Sequence, residues 1–262
     1  NRRLHDLGQS LWVDNITRGT LDDGTLKGYI EDLSVTGLTS NPTIFEKAIG
    51  GGNDYDAQIA ELAASESDPE QIFFELAMAD LRRAADDFEE IHEKTDRVDG
   101  YVSLEVSPLL ADDTEATIAQ AADLYERIER KNVFIKIPGT PAGLPAIEET
   151  IFAGIPVNVT LLFSTEQYLA AADAYLKGVE RRIEAGLNPA INSMASLFIS
   201  RWDAAVIDDV SPELRAKLGI AVGKQAYAAY RELIASDRVQ ILANEGGRIQ
   251  RLLMASTGTK DP

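Results

Sequence analysis

Residues 133–138 read Val-Phe-Ile-Lys-Ile-Pro, an apolar run that contains a single charged residue, Lys136. Side chains alternate between the two faces of a β-strand, so Phe134 and Lys136 share one face and three aliphatic residues share the other. A lysine between two isoleucines is costly to bury unless it serves a purpose there. This stretch therefore predicts a strand that carries a functional amine.

Six further short apolar runs lie on either side of this strand. They cover residues 11–16, 35–41, 101–107, 157–164, 191–199 and 251–256. Most are separated by stretches with helical periodicity, such as 114–130 and 212–235, and residues 56–92 indicate two helices broken at Ser67-Asp68-Pro69. This regular alternation predicts parallel strands joined by crossover helices.

The chain is expected to form one α/β domain. No composition shift or Gly/Ser linker divides residues 1–262. The alternation fits both a (β/α)8 TIM barrel and an open doubly wound sheet, and no dinucleotide fingerprint follows the first strand. A barrel needs eight strands, whereas the sequence stops at Thr259-Lys260-Asp261-Pro262, six residues beyond the end of the seventh run. We therefore expect a barrel whose eighth strand is missing from this chain, and an intact protein that continues beyond Pro262.

Charge and composition narrow the classes of function. Lys and Arg total 25 against 43 Asp and Glu, which gives a net charge of −18. Such a surface repels phosphate backbones and anionic lipids, so we expect neither nucleic-acid nor membrane partners, although a few basic groups in a cleft can still bind a small anion. The chain has no cysteine, which excludes disulfides and thiol nucleophiles and fits a reducing cytoplasm. No apolar run is long enough to predict a membrane-spanning helix.

Polar side chains recur on the same face of four predicted strands, towards their carboxyl ends. They are Asp14, Glu105, Lys136, Asn158 and Thr160. In a parallel barrel this face lines the interior, and the active site lies at its carboxyl-terminal rim. Each residue alone has an ordinary explanation, such as a strand-edge lysine, an ion-pair partner or a turn. Their coincidence predicts one site.

Other motifs point to no chemistry. His5 and His92 occur in polar surroundings and are expected at the surface, so we predict neither a histidine-based triad nor a metal site. Gly50-Gly51-Gly52 lacks the lysine spacing of a phosphate-binding loop and is expected to be a flexible loop after a helix.

The segment around Lys136, FIKIPGTPAG, resembles the Schiff-base strand of transaldolases. Further segments are similar to that family: LWVDN with Asp14, TSNPTIFEKAI with Asn41, VSLEVSP with Glu105, VNVTLLFS with Asn158 and Thr160, SMASLFISRWD with Ser196 and Arg201, and LLMASTGTK with Ser256 and Lys260. They follow the family's order from about Gln9 to Lys260. The last segment resembles that of the long bacterial transaldolases, which also occur fused to glucose-6-phosphate isomerase.

The resemblance implies a class I aldolase-like (β/α)8 barrel that transfers a dihydroxyacetone unit between sugar phosphates in the pentose phosphate pathway. Sedoheptulose 7-phosphate and glyceraldehyde 3-phosphate would give erythrose 4-phosphate and fructose 6-phosphate. It implies sugar-phosphate substrates, a cytoplasmic location, and neither a metal nor an organic cofactor. A monomer and a homodimer both stay open, as does a fusion to a glucose-6-phosphate isomerase domain.

The resemblance also implies a role for each matched residue. Lys136 would form the Schiff base, Glu105 and Thr160 would transfer protons through a water, and Asp14 would accept the proton of the C4 hydroxyl. Asn41, Asn158 and Ser196 would hold the dihydroxyacetone hydroxyls, Arg201 would bind the phosphate, and Ser256 would be a further substrate-binding residue. Many transaldolases place a second arginine two residues after the seventh-strand serine, and Lys260 is our candidate for that charge.

Four other functions are alternatives to a transaldolase. A fructose-6-phosphate aldolase would use the same Schiff base but release dihydroxyacetone, whereas a deoxyribose-phosphate aldolase needs a second strand lysine near Lys136, which we do not find. A sugar-phosphate isomerase would use Glu105 as an enediol base and need no covalent lysine. An inactive binding barrel is disfavoured because Lys136, Glu105 and Asp14 are all intact.

Overall fold

A computed structural model describes residues 1–66 and 68–258 of the chain. They form two compact units, the first from Asn1–Pro108 and Asp123–Ile135, the second from Leu109–Ala122 and from Lys136 onwards. The sequence boundary between the units passes through a helix, α7 (Thr114–Ile128), and through a strand, β4 (Val133–Pro138). The expectation of a single domain stays a prediction.

The first unit contains parallel strands and the helices that connect them. Its other strands are β1 (Leu11–Val13), β2 (Val35–Leu38) and β3 (Tyr101–Glu105), and its helices are α1 (Arg2–Asp6), α2 (Arg18–Asp22), α3 (Thr25–Leu33), α4 (Pro42–Gly50), α5 (Asp56–Leu62) and α6 (Pro69–Lys94). Strand β1 pairs in parallel with β2, and β2 pairs in parallel with β3.

The second unit repeats this arrangement. Its further strands are β5 (Val157–Leu162), β6 (Ser193–Phe198) and β7 (Arg251–Ala255), and its helices are α8 (Gly143–Phe152), α9 (Thr165–Glu184), α10 (Ser200–Ala205), α11 (Leu218–Ile234) and α12 (Asp237–Asn244). Strands β5, β6 and β7 pair in parallel and in chain order. Two 3₁₀ turns, Pro108–Leu110 and Pro212–Leu214, complete the described elements.

The seven strands among the described residues match the seven predicted runs. Their alternation with helices, and their parallel pairing within each unit, confirm the predicted α/β fold class of the (β/α)8 barrel. Strand β4 has the predicted bounds and is buried along its whole length. In the described part of the chain, no helix is long and apolar enough to cross a membrane.

The predicted break between α5 and α6 is also confirmed. The Asp68 side chain caps α6 by accepting a hydrogen bond of 2.9 Å from the backbone N–H of Glu70, and Pro69 occupies the first turn. A proline here costs nothing, because the first N–H groups of a helix have no partner within it. The cap explains why one long periodic segment begins anew at residue 69.

His92 is buried, so the prediction of a surface position is wrong. Its Nδ1 donates to the carbonyl oxygen of Asp99 at 3.2 Å, and its ring meets the Tyr101 ring edge-on with centroids 4.7 Å apart. Burial lowers the pKa of His92, because desolvation penalises the charged imidazolium. His5 is exposed, as predicted.

The single helical segment predicted for residues 212–235 is interrupted. The 3₁₀ turn Pro212–Leu214 ends well before α11 begins at Leu218, and Ala216 between them has a left-handed backbone with φ of 54°. A helix cannot pass through that conformation. The N–H of Gly219, at the start of α11, instead donates to the Asp203 carboxylate at 3.0 Å.

Candidate active site

In the first unit, three of the predicted site residues lie at the carboxyl ends of its strands. Asp14 directly follows β1 and is exposed, Glu105 is the last residue of β3 and is half-buried, and Asn41 follows β2 by three residues. In parallel strands these ends meet at one edge of the sheet. The unit therefore brings two carboxylates and one amide to a common edge.

The side chain of Asn41 is fixed by the helix that follows it. Its Oδ1 accepts a hydrogen bond of 2.9 Å from the backbone N–H of Ile44, which makes Asn41 the N-cap of α4, and Pro42 occupies the first turn. An N-cap satisfies one of the unpaired donors at a helix start. Because the oxygen is used in this way, the amide nitrogen is the end of the side chain that can donate to a ligand.

Aromatic rings pack closely on these strands of the first unit. The Phe134 ring stacks on the Tyr101 ring with centroids 4.0 Å apart, and the Trp12 ring lies 6.3 Å from Phe134. Trp12 also covers Gly37 so closely that a Cβ at position 37 would overlap its indole ring. Gly37 thus allows an aromatic ring to lie two residues before Asp14 on β1.

In the second unit, Lys136 lies inside β4 with only 5% of its surface exposed. This burial does not fit the alternative explanation of a strand-edge lysine. The end of its strand is held to β5, because the N–H of Gly139 donates to the carbonyl oxygen of Thr160 at 2.8 Å. This contact also places Thr160 near the carboxyl end of β4.

Asn158 and Ser196 form a buried pair on neighbouring strands. The Ser196 hydroxyl donates to Oδ1 of Asn158 at 2.7 Å, and the two residues are almost fully buried. Both polar groups are thereby held in one orientation. The structure thus brings these two predicted hydroxyl-binding residues into direct contact.

Thr160 is fully buried, and its hydroxyl has no hydrogen-bond partner among the described residues. Its strand is irregular at this point: the register between β5 and β6 shifts between Val159 and Leu162, and Leu161 has a φ of 58°. A buried hydroxyl without a partner costs about 1–3 kcal/mol. Such a group is typical of a position where a bound molecule completes the hydrogen bonding.

Arg201 and Ser256 are brought together through Ser200, which the sequence analysis missed. The backbone N–H of Ser200 donates to the carbonyl oxygen of Ser256 at 2.9 Å, and the two hydroxyls lie 3.1 Å apart. Ser200 precedes Arg201 in the first turn of α10, and the Arg201 side chain is exposed. Ser200 could have been identified from the sequence, because it is a polar residue directly after the predicted strand 191–199. The remaining candidate, Lys260, lies outside the described residues.

The arrangement in the second unit suits covalent chemistry on a carbonyl compound. A buried amine, an unpaired hydroxyl and a fixed amide–hydroxyl pair belong to adjacent parallel strands, and an exposed cation follows them. A neutral amine is the nucleophile that attacks a carbonyl carbon in such chemistry.

Comparison with known proteins identifies similar sequences along the whole chain. The sequence model of the "Transaldolase/Fructose-6-phosphate aldolase" family matches residues 11–262. The chain is 48% identical to a protein named transaldolase from Saccharopolyspora erythraea, 46% identical to a transaldolase from Mycobacterium tuberculosis and 44% identical to transaldolase 2 from a Nostoc species. Each match covers 99% of this chain and 72% of the relative.

Proposed function

Because the chain belongs to the transaldolase/fructose-6-phosphate aldolase family and its activity is that of a transaldolase, we propose that Lys136 is the amine on which this activity depends. The dihydroxyacetone unit would come from sedoheptulose 7-phosphate or fructose 6-phosphate. Its acceptors would be glyceraldehyde 3-phosphate or erythrose 4-phosphate.

The burial of Lys136 carries this proposal. A lysine that improves solubility lies on the protein surface, whereas Lys136 lies in the middle of a strand with only 5% of its surface exposed. Its unit also contains the unpaired Thr160 hydroxyl and the Asn158–Ser196 pair. These polar groups can form hydrogen bonds with the hydroxyl groups of a hydroxyketone. These features support a Schiff-base role over a purely structural one.

The proposed reaction begins with attack of the Lys136 amine on the C2 carbonyl of the donor. The carbinolamine loses water, which leaves a protonated imine. The bond between C3 and C4 then breaks, its electron pair moves towards the imine to form an enamine, and the C4 hydroxyl loses its proton as it becomes an aldehyde. The enamine next attacks the acceptor aldehyde, and hydrolysis of the new imine regenerates the amine.

Two carboxylates divide the proton transfers in this proposal. Asp14 accepts the proton of the C4 hydroxyl while the carbon–carbon bond breaks. Glu105 acts with the Thr160 hydroxyl, through a water, while the imine forms and hydrolyses. The fully buried, unpaired state of the Thr160 hydroxyl supports its part in this role.

Substrate binding is proposed for the remaining polar residues. Asn41, Asn158 and Ser196 would hold the dihydroxyacetone hydroxyls. Arg201, with Ser256 and the candidate Lys260, would bind the phosphate. The connection from Ser256 to Ser200 supports this grouping, since Ser200 precedes Arg201 directly.

Borohydride trapping tests the Schiff base. Reduction in the presence of fructose 6-phosphate should attach the reduced three-carbon unit to Lys136 and to no other lysine, as read by peptide mass spectrometry. An active preparation that cannot be trapped would contradict the covalent mechanism and favour an enediol mechanism at Glu105. Trapping with release of free dihydroxyacetone, and no transfer to an acceptor, would identify an aldolase instead.

Arg201→Lys is expected to raise the KM for phosphorylated donors by about tenfold, because lysine keeps the charge but loses the bidentate contact with phosphate. The KM for free dihydroxyacetone as donor should change much less. Steady-state kinetics with both donors measures this difference. Arg215→Lys is the matched control, since Arg215 is also exposed in the second unit but follows the 3₁₀ turn. An equal penalty on both donors would mean that Arg201 is structural.

The same proposal places the enzyme in the cytoplasm, which the absence of cysteine supports. We propose a monomer or a homodimer as its assembly. Light scattering on the purified protein distinguishes the two by mass.

A further inference from the structure

Asp80 is a fully buried carboxylate in the middle of α6, in the first unit. The Arg18 guanidinium contacts its Oδ1 through Nε and Nη2, both at 2.9 Å. The Tyr55 hydroxyl donates to its other oxygen, Oδ2, at 2.8 Å. Burial raises the pKa of Asp80, while the Tyr55 hydrogen bond and the charge of Arg18 act in the opposite direction.

Tyr55 also holds the backbone of Arg18. The Arg18 N–H donates to the Tyr55 hydroxyl at 3.0 Å, and the Arg18 guanidinium lies 4.3 Å from the centroid of the Tyr55 ring. Arg18 is therefore fixed through both its backbone and its side chain, by residues 37 and 62 positions away in the sequence. Arg18, Tyr55 and Asp80 are called the Asp80 network below.

The turn that the Asp80 network anchors carries Asp14. Strand β1 ends at Val13, whose carbonyl oxygen accepts a hydrogen bond of 2.8 Å from Thr39, and α2 begins at Arg18. Ile16 inside the turn is only 1% exposed. The turn is thus held at both ends and in the middle, although Asp14 itself is exposed.

A second local device fixes the end of this turn. The Thr17 and Thr20 side chains form a reciprocal capping box, with hydrogen bonds of 3.1 and 3.2 Å to each other's backbone N–H. This box satisfies the backbone N–H groups of Thr17 and Thr20 at the start of α2, and the Tyr55 hydroxyl accepts from the N–H of Arg18 between them. The Asp80 network thus adds one contact to the cap of α2 through Tyr55, and its side-chain contacts fix the position of Arg18 relative to α6.

We propose that the Asp80 network positions Asp14 for the carbon–carbon cleavage step, an inference that rests on the base role proposed above for Asp14. A buried ion pair adds little stability compared with apolar packing of the same volume, so its use here points to geometry. A misplacement of about 1 Å at a catalytic group can cost about 100-fold in rate. Arg18, Tyr55 and Asp80 are positioning residues, because they act through the turn.

Tyr55→Phe tests the inference, since it removes only the hydroxyl that joins Asp80 to the Arg18 backbone. In single-turnover reactions with fructose 6-phosphate, we expect release of glyceraldehyde 3-phosphate to slow about 10-fold to 100-fold. Imine formation at Lys136, read by borohydride trapping at early times, should stay at the wild-type rate. A structural role alone would not separate these two steps.

Tyr175→Phe is the matched control. Tyr175 is also a fully buried tyrosine, whose hydroxyl donates to the carbonyl oxygens of Ile191 at 3.0 Å and Arg248 at 2.6 Å. These acceptors precede β6 and β7, away from the carboxyl ends that carry the proposed site residues. We expect this variant to lose thermal stability but to keep the wild-type ratio of cleavage to imine formation.

Arg18→Lys provides a second variant in case Tyr55→Phe does not fold. It keeps a cation beside Asp80 and removes the two-pronged contact, so it should slow cleavage in the same selective way. An unchanged ratio of cleavage to imine formation in a folded variant would overturn the inference. An Asp14→Asn enzyme with wild-type cleavage would overturn the role proposed for Asp14, and the positioning inference with it.

Discussion

Replacing Lys136 with alanine is expected to lower kcat/KM for transfer by at least about 10⁴-fold, because the covalent route loses its nucleophile. The other polar residues described near it in the second unit cannot form the imine in its place, since the Asn158–Ser196 pair and Thr160 offer only amide and hydroxyl groups. Coupled assays of erythrose 4-phosphate consumption measure the loss.

The fold of the alanine variant should survive, because alanine is an apolar residue that leaves no buried charge, and the loss of the lysine methylene groups should only lower thermal stability. Thermal denaturation followed by circular dichroism checks this point. Lys131→Ala is the matched control: Lys131 precedes β4 on the same segment but is exposed. Transfer by Lys136→Ala at a rate near that of Lys131→Ala would rule out a Schiff base at this lysine.

Asp14→Asn should lower the rate of carbon–carbon cleavage by about 10²–10⁴-fold, the usual loss when a general base is removed. The amide is nearly isosteric with the carboxylate and cannot accept the C4 proton. Imine formation should continue, so the reduced adduct at Lys136 should contain the whole six-carbon donor. Mass spectrometry separates this adduct from the three-carbon one.

Glu105→Gln should give the complementary result. Formation and hydrolysis of the imine slow, so trapping itself becomes slow and the adduct retains the three-carbon composition. Identical kinetic profiles for Asp14→Asn and Glu105→Gln would contradict the division of roles, and wild-type turnover in both variants would remove the two carboxylates from the mechanism.

The strands of the fold could be predicted because their sequences are distinctive. VFIKIP is apolar, rich in β-branched residues and bounded by polar residues and proline, and β4 has the predicted bounds. The break at Asp68-Pro69 was equally readable, because its capping chemistry is local. Such features depend on a few neighbouring residues and therefore need no knowledge of tertiary contacts.

The wrong prediction for His92 came from considering only its neighbours in the sequence. Its neighbours Glu89, Glu90, Glu93 and Lys94 are polar, which suggested the surface. The helical period, however, places His92 on the same face as Phe88, Ala85 and Leu81, all of which are buried. Counting by i, i+4 and i+7 along α6 would have predicted its burial.

The Asp80 network could be predicted from the sequence only in part. Asp80 lies on the face of α6 that carries Leu76, Ala77 and Ala84, and a carboxylate among buried residues was a detectable signal of a polar partner. The identity of that partner was not detectable, because Arg18 and Tyr55 lie 62 and 25 residues away and belong to other elements. Pairing over such distances is decided by tertiary structure.

The oxygen of the Asn41 amide caps α4, and its nitrogen would donate to the substrate in the proposed mechanism. These two roles limit which residues can replace Asn41. Aspartate would preserve the cap of α4 but could only accept hydrogen bonds, whereas serine would preserve the cap and draw its polar group back towards the main chain. Leucine or alanine would leave the Ile44 N–H without its acceptor. Few substitutions at position 41 therefore keep the cap of α4, and a change of donor preference through any residue that cannot cap must also rebuild the start of that helix.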